Sequence, residues 1–354
     1  MSKRILRTIG STTIGRRTFL AGATAAVAAP FIHRSALAAE QIVLVSWGGR
    51  YRENIEKAFV KPFMKETGIE VLISDTPDFA KAKAQVESGN VEWDVFDAIG
   101  SHASSGALEG IWEPLDQSIV ETPNLSVPAT KTVVGFYVWA GGISWDPSRT
   151  PKGKNPSNFK ELWDLENFPG RRAFRARPYE TLEMALVADG VAPKDLYPLD
   201  VDRAFDALER IKSSVSNWVK STPQTIELLR NNETDFSYTY TGRVAAAQTE
   251  GISIDIALDQ TVNGMEYLTV LKGTKKGDAA MKFIAFCLRP DRQAAFSELH
   301  YVNPNRSDAV AQISQDAKKW LPDVSNPKNI ILDDFWWGDH NAKVSERFNE
   351  WMLI

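Results

Sequence analysis

Between residues 41 and 101 the sequence alternates short apolar runs with amphipathic stretches, and this alternation leaves few architectures open. Gln41-Ile42-Val43-Leu44-Val45-Ser46-Trp47 has strand length and composition and is closed by Gly48-Gly49. Ile55, Ala58, Phe59, Pro62 and Phe63 follow at helical spacing, which predicts a helix to about residue 65, with Pro62 opposing an unbroken run. Thr67-Gly68 is a stop signal. A second strand is expected over 69–74, a helix over 79–87 and a third strand over 94–99, ending in Gly100-Ser101. Strand–helix–strand–helix–strand at these lengths predicts a mainly parallel sheet with helices on both faces.

Further along, 132–145 is rich in β-branched and aromatic residues around Gly141-Gly142 and reads as extended. The three prolines within 146–158 mark a loop where the chain crosses between domains. Helices are expected over 159–165, 201–213, 225–231, 277–288 and 342–352, and strands over 170–177, 235–240, 258–262 and 266–271. Neither an internal repeat nor a low-complexity tract occurs.

The first 39 residues read as an address. They hold six of the 41 Lys+Arg and none of the 45 Asp+Glu. Arg16-Arg17 precedes Phe19-Leu20, an Ala-rich apolar run follows over 19–32, and Ala36-Leu37-Ala38 supplies small residues for a peptidase. The run is too short for a bilayer core, which takes about 20 residues. The layout resembles a twin-arginine export signal, with a plain secretory signal as the alternative. Cleavage is expected near Ala38/Ala39, leaving a periplasmic protein. The remainder has 35 basic against 45 acidic residues and no basic run, which argues against nucleic acid as a partner. Cys287 is alone, so no internal disulfide is expected, and with no Cys near the cleavage point no lipid anchor is either. With 43% hydrophobic and 24% charged residues, the chain can bury a proper core.

Catalytic signatures are missing. His33, His102, His300 and His340 are scattered, with no pair at metal-ligand spacing. There is no Gly-x-Ser-x-Gly elbow and no phosphate-cradling glycine loop. Neither an enzyme nor a cofactor is expected. Tyr238 and Tyr240 share one face of a predicted strand; ferric-ion carriers use paired tyrosinates, but β-propensity explains the pair more simply.

What is present is a set of aromatic and charged residues at predicted strand ends, where the ligand crevice of an open α/β sheet lies. Trp47, Trp139, Trp145 and Trp218 fall there, and Trp47 is followed by the open backbone of Gly48. Aromatic faces there could box an alkylammonium, at roughly 0.5–2 kcal/mol each. Trp336 and Trp337 read as packing anchors. Glu180 starts a helix after a strand and is a candidate ammonium receptor. Arg243, after Tyr240-Thr241-Gly242, is a candidate carboxylate receptor. Glu266 is expected to open a later strand. Asp97, Ser101 and Tyr179 complete the candidate substrate-binding set.

Taken in order, these segments resemble the spermidine/putrescine-binding family of solute-binding proteins that serve ATP-driven importers. The carriers include Val45-Ser46-Trp47-Gly48-Gly49, Trp93-Asp94-Val95-Phe96-Asp97, Phe168-Pro169-Gly170-Arg171-Arg172, Glu180-Thr181-Leu182-Glu183, Tyr240-Thr241-Gly242-Arg243 and Trp336-Trp337-Gly338-Asp339. The resemblance covers nearly all of 40–354. It implies an α/β periplasmic binding-protein fold of two lobes, 40–144 with about 266–305 and 145–265 with about 306–354. A monomer would close these lobes on its ligand and dock on an inner-membrane permease. In polyamine binders an aromatic follows the first strand, matching Trp47; a second-lobe carboxylate matches Glu180, and an acid on the return strand matches Glu266. Three positions depart from the pattern: Arg243 replaces an acid, Gly264 a Trp, and Gly48-Gly49 a Ser-Asp pair. Reversing the charge at Arg243 sets it against one cationic end of a diamine. The expected ligand is therefore an amino-acid-like zwitterion, such as an ω-amino acid, ahead of a polyamine. A sugar or ferric-ion carrier of the same fold, or a periplasmic enzyme, is the alternative.

Overall fold

The computed structural model describes residues 40–353 apart from 152, 322 and 325; the export signal and its cleavage point lie outside the described residues. The alternation at the start of this region becomes three strands, β1 (Gln41–Ser46), β2 (Glu70–Asp75) and β3 (Val95–Ile99). They are joined by helices that cover the sheet and pair in parallel, in the order β2-β1-β3. Next come β4 (Val133–Trp145), β5 (Arg172–Arg175), β6 (Val215–Val219), β7 (Phe236–Tyr240), β8 (Asp255–Ile256) and β9 (Val262–Val270). Two short strands, β10 (Asn303–Pro304) and β11 (Ile330–Ile331), complete the set.

The full sheet order is β2-β1-β3-β9-β4-β7-β5-β6. Two parallel trios, β2-β1-β3 and β7-β5-β6, thus flank the central pair β9 and β4. Both trios join that pair antiparallel, as β9 and β4 join each other. β4 is 13 residues long and almost wholly buried, and it reaches from the first trio to the second. Its Gly141 and Gly142 do not end it. A Cβ on Gly141 would lie 2.0 Å from the Tyr238 hydroxyl, and one on Gly142 would lie 2.7 Å from the Ala257 carbonyl. These glycines allow close packing inside a continuous strand.

Local chemistry explains where elements depart from the pattern. The helix expected to about residue 65 is one helical stretch in three parts, Arg50–Ile55, a π-helical turn Glu56–Val60, and Lys61–Thr67. Pro62 has no N–H to return to the Ala58 carbonyl, and widening the turn before it relieves the clash. Arg292 reaches that carbonyl instead, Nη1 at 3.5 Å. The C-terminal helix begins at Asp334, earlier than residue 342, so Trp336 and Trp337 lie within it. The Asp333 carboxylate accepts from the Phe335 and Trp336 amides at 3.0 Å and caps this start. Glu266 lies in the middle of β9 and not at its start. Among the described residues no helix is long and apolar enough to cross a membrane.

Candidate functional site

The strand ends of both trios, together with the middle of β4 and β9, enclose a cavity of about 470 Å³. Its walls combine aromatic rings, one acidic side chain and three arginines.

The acidic part of the site is a carboxyl pair. β9 sets Glu266 opposite Ile99 of β3 and Tyr137 of β4, and its Oε1 accepts the Trp47 indole N–H at 2.6 Å. Behind it, Asp97 Oδ2 accepts from the Ser46 hydroxyl at 2.7 Å and the Tyr51 hydroxyl at 2.8 Å. Tyr137 donates in turn to Tyr51 at 3.2 Å. Burial pushes the Asp97 carboxyl up to about 6, against the hydrogen bonds from Ser46 and Tyr51 that favour its charge. Burial, and then the nearby Asp97, push Glu266 well above the ordinary glutamate range. Two carboxyls in one dry site hold protons as a pair, and an ammonium arriving at Glu266 would favour their ionised forms. Aromatic faces accompany this pair: Trp47, Tyr51, Tyr137 and Trp139 all line the cavity.

Three arginines also line the cavity. Arg175 ends β5, Arg177 follows two residues later, and Arg243 lies in the first turn of the helix Thr241–Thr249, which continues β7. Arg177 is already committed. It pairs with Glu180 and donates to the Tyr240 hydroxyl at 3.0 Å. Burial disfavours its charge, but the Glu180 carboxylate beside it outweighs that and raises it above the ordinary arginine value.

Arg175 is different. It is 7% exposed, and its Nε and Nη1 are buried with no hydrogen-bond partner among the described residues. Arg243 has no carboxylate partner among them either. Burial, with Arg175 as a like charge nearby, holds its guanidinium below the usual arginine value. Two guanidinium groups facing one cavity without a protein anion are an uncompensated cost. An incoming carboxylate would offset part of it, at the guanidinium atoms that reach the cavity surface; the Arg175 Nε and Nη1 are not among these. The helix Thr241–Thr249 adds to this charge, because its N-cap Tyr240 makes no side-chain capping bond and its first turn lines the cavity. Gly242 is required there: a Cβ would sit 2.3 Å from the His300 carbonyl. His300 also lines the cavity; burial drives its imidazole down to about 3, so it is neutral.

Of the residues expected from the sequence, Trp47, Gly48, Trp139, Tyr240, Arg243 and Glu266 share this cavity wall, whereas Trp145 does not. Asp97 lies one layer behind Glu266. Glu180 is fully buried, and its carboxylate is engaged by Arg177 and by the Tyr240 hydroxyl at 3.1 Å, so it offers no free acceptor to a ligand. Its backbone φ of 76°, rare for a residue with a side chain, turns it inward to hold Arg177. Tyr179 is buried and donates to Asp334 at 2.8 Å. Ser101 is buried in the helix Gly100–Leu108, away from the wall. Trp218 packs edge-on against Phe348 and Trp351 of the C-terminal helix, because that helix covers its face of β6. The sequence reasoning missed Tyr51, Tyr137, Arg175, Arg177 and the segment Lys220–Pro223. Arg175 and Arg177 fall within 170–177, which was expected to be strand; β5 ends at Arg175, and its end was the available signal. No group of side chains that could hold a metal occurs among the described residues.

The chain is 33% identical to the gamma-aminobutyric acid-binding protein of Pseudomonas aeruginosa, over 88% of this chain and 91% of that one. It is 22% identical to the spermidine/putrescine-binding periplasmic protein of Escherichia coli, over 80% of this chain and 82% of that one. The solved Atu4243 GABA receptor superposes with a TM-score of 0.82 at 33% identity, covering 88% of this chain and 97% of the receptor. The architecture is thus the two-lobed α/β fold of periplasmic binding proteins. The family model for bacterial extracellular solute-binding proteins matches residues 58–322, and the chain belongs to that family.

Proposed function

We propose that this protein, a substrate-binding component of an ABC importer, captures a small zwitterion with an ammonium at one end and a carboxylate at the other, of the ω-amino acid type. One observation carries this reading. The cavity that holds Glu266 and its aromatic neighbours also holds Arg175 and Arg243, two guanidinium groups without a protein anion. The ammonium would meet Glu266, Trp47 and the tyrosines; the carboxylate would meet Arg175 and Arg243. A diamine would bring a second cation to the arginines, where like charges repel in a site poor in water. The gamma-aminobutyric acid-binding relative, at 33% identity, agrees with this charge pattern better than the more distant polyamine binder.

The cavity would close as the two lobes, 40–144 with about 266–305 and 145–265 with about 306–354, approach each other. The monomeric, non-catalytic carrier would reach the periplasm through the twin-arginine machinery, and the Arg16-Arg17 pair supports that route. Calorimetric titration of purified protein with 4-aminobutyrate and putrescine tests the ligand. 4-Aminobutyrate should bind at least tenfold tighter; putrescine binding in the absence of 4-aminobutyrate binding would overturn the reading. Isolation of the ligand unchanged after denaturation would agree with a carrier, whereas turnover would not.

A further inference from the structure

The charges lining the cavity do not balance for a zwitterion. Among the described residues Glu266 is the one acidic residue in the wall, with Asp97 behind it. Against them stand Arg175, Arg243 and Lys220; Arg177 is neutralised by Glu180. Lys220 is exposed at the rim and has no ion-pair partner among the described residues. Even with both acids ionised, one positive charge is left over, and a zwitterion adds no net charge to offset it. The wall also includes the segment Lys220-Ser221-Thr222, which adds a cation and two hydroxyl side chains.

We infer that the preferred ligand is an amino dicarboxylate: its ammonium lies at Glu266 and Trp47, one carboxylate at Arg175 and Arg243, and a second carboxylate at Lys220-Ser221-Thr222. This deepens the zwitterion reading and rests on it. The second anionic group supplies the charge that the wall lacks, and the rim segment gives it a cation and hydroxyl donors. Because Lys220 is exposed, its share is modest and sensitive to salt.

The test is calorimetry of the purified protein and its Lys220→Ala variant with 4-aminobutyrate, L-glutamate, L-2-aminoadipate, N-carboxymethyl-4-aminobutyrate and putrescine. At least one dicarboxylate should bind about tenfold tighter than 4-aminobutyrate. Lys220→Ala should reduce that preference about threefold or more at low salt, weakening the dicarboxylate more than 4-aminobutyrate. If 4-aminobutyrate binds and every dicarboxylate binds more weakly, or if Lys220→Ala changes all affinities equally, the dicarboxylate inference is overturned and the zwitterion reading stands. Binding of putrescine alone, or of no compound in the panel, overturns both.

Discussion

Arg175 shows at the scale of one residue how this molecule holds a site ready for use. Its guanidinium is buried and lacks partners for two nitrogens, a condition that destabilises the ligand-free protein. Its charge would still favour an arriving carboxylate, since a hydrogen bond to a charged group contributes roughly 1.5–3 kcal/mol. The two effects should separate in a variant that keeps volume and loses charge. Arg175→Met is expected to raise the melting temperature of the ligand-free protein, as replacement of buried ions by apolar groups often does. It should also weaken ligand binding by about tenfold or more, read by calorimetry. A residue with only a structural role would lower both. Glu180 makes the contrast: its charge is satisfied by Arg177 and Tyr240, so its service to a ligand is to fix Arg177 in place.

The elements explain what the sequence could and could not disclose. The strands β1, β2 and β3 were legible because each is a short run rich in β-branched and apolar residues followed within a few positions by Gly or Pro, a local signal. Trp47 and Arg243 were legible for the same reason, since each stands where a strand ends. Trp218 stands there too, yet its ring meets the C-terminal helix, more than a hundred residues later in the chain. Nothing near residue 218 encodes that contact. Tyr51 and Tyr137 were missed because they look like ordinary core residues until β4 brings Tyr137 to the Tyr51 hydroxyl. A second long-range contact gives an element-scale prediction. Glu183, in the helix Thr181–Ala188, accepts from Tyr197 and from the Trp337 indole, both at 2.6 Å, while its Oε2 has no partner. Burial pushes it up to about 7, against those two hydrogen bonds and with the Glu180 charge adding to the rise. The native state therefore keeps this proton longer than the unfolded chain, whose glutamate titrates near about 4.3, and its contribution to stability falls as pH rises from about 4 through about 7. Asp97 and Asp334 act with the same sign, and the buried His102 and His300 with the opposite one, so only a difference isolates Glu183. Glu183→Gln should gain melting temperature relative to the parent between pH 5 and pH 8, by a few degrees in a thermal scan. An equal offset at both pH values would remove Glu183 as the source.

At the scale of the whole molecule, the cavity draws Trp47 from the end of β1 in one trio, Arg175 and Arg243 from the ends of β5 and β7 in the other, and Glu266 from β9 between them, so affinity depends on how the trios are held together. One ion pair joins the elements that follow them. Arg50, in the helix after β1, meets Glu250, at the end of the helix after β7, at 2.9 Å. Both side chains are largely exposed, 42% and 61%, so the pair contributes little to stability, about 0–1 kcal/mol. Its position gives it a kinetic role: if the trios must part for the ligand to leave, the contact breaks on release and slows it. Reversing the charge with Glu250→Lys sets two cations against each other across the same gap. Ligand dissociation, measured by stopped-flow tryptophan fluorescence, should speed up severalfold at low salt with association changed less. Because the pair is exposed, the difference should shrink towards none near 1 M salt, where the screening length is about 3 Å. A dissociation rate unchanged at low salt would show that this contact takes no part in retaining the ligand.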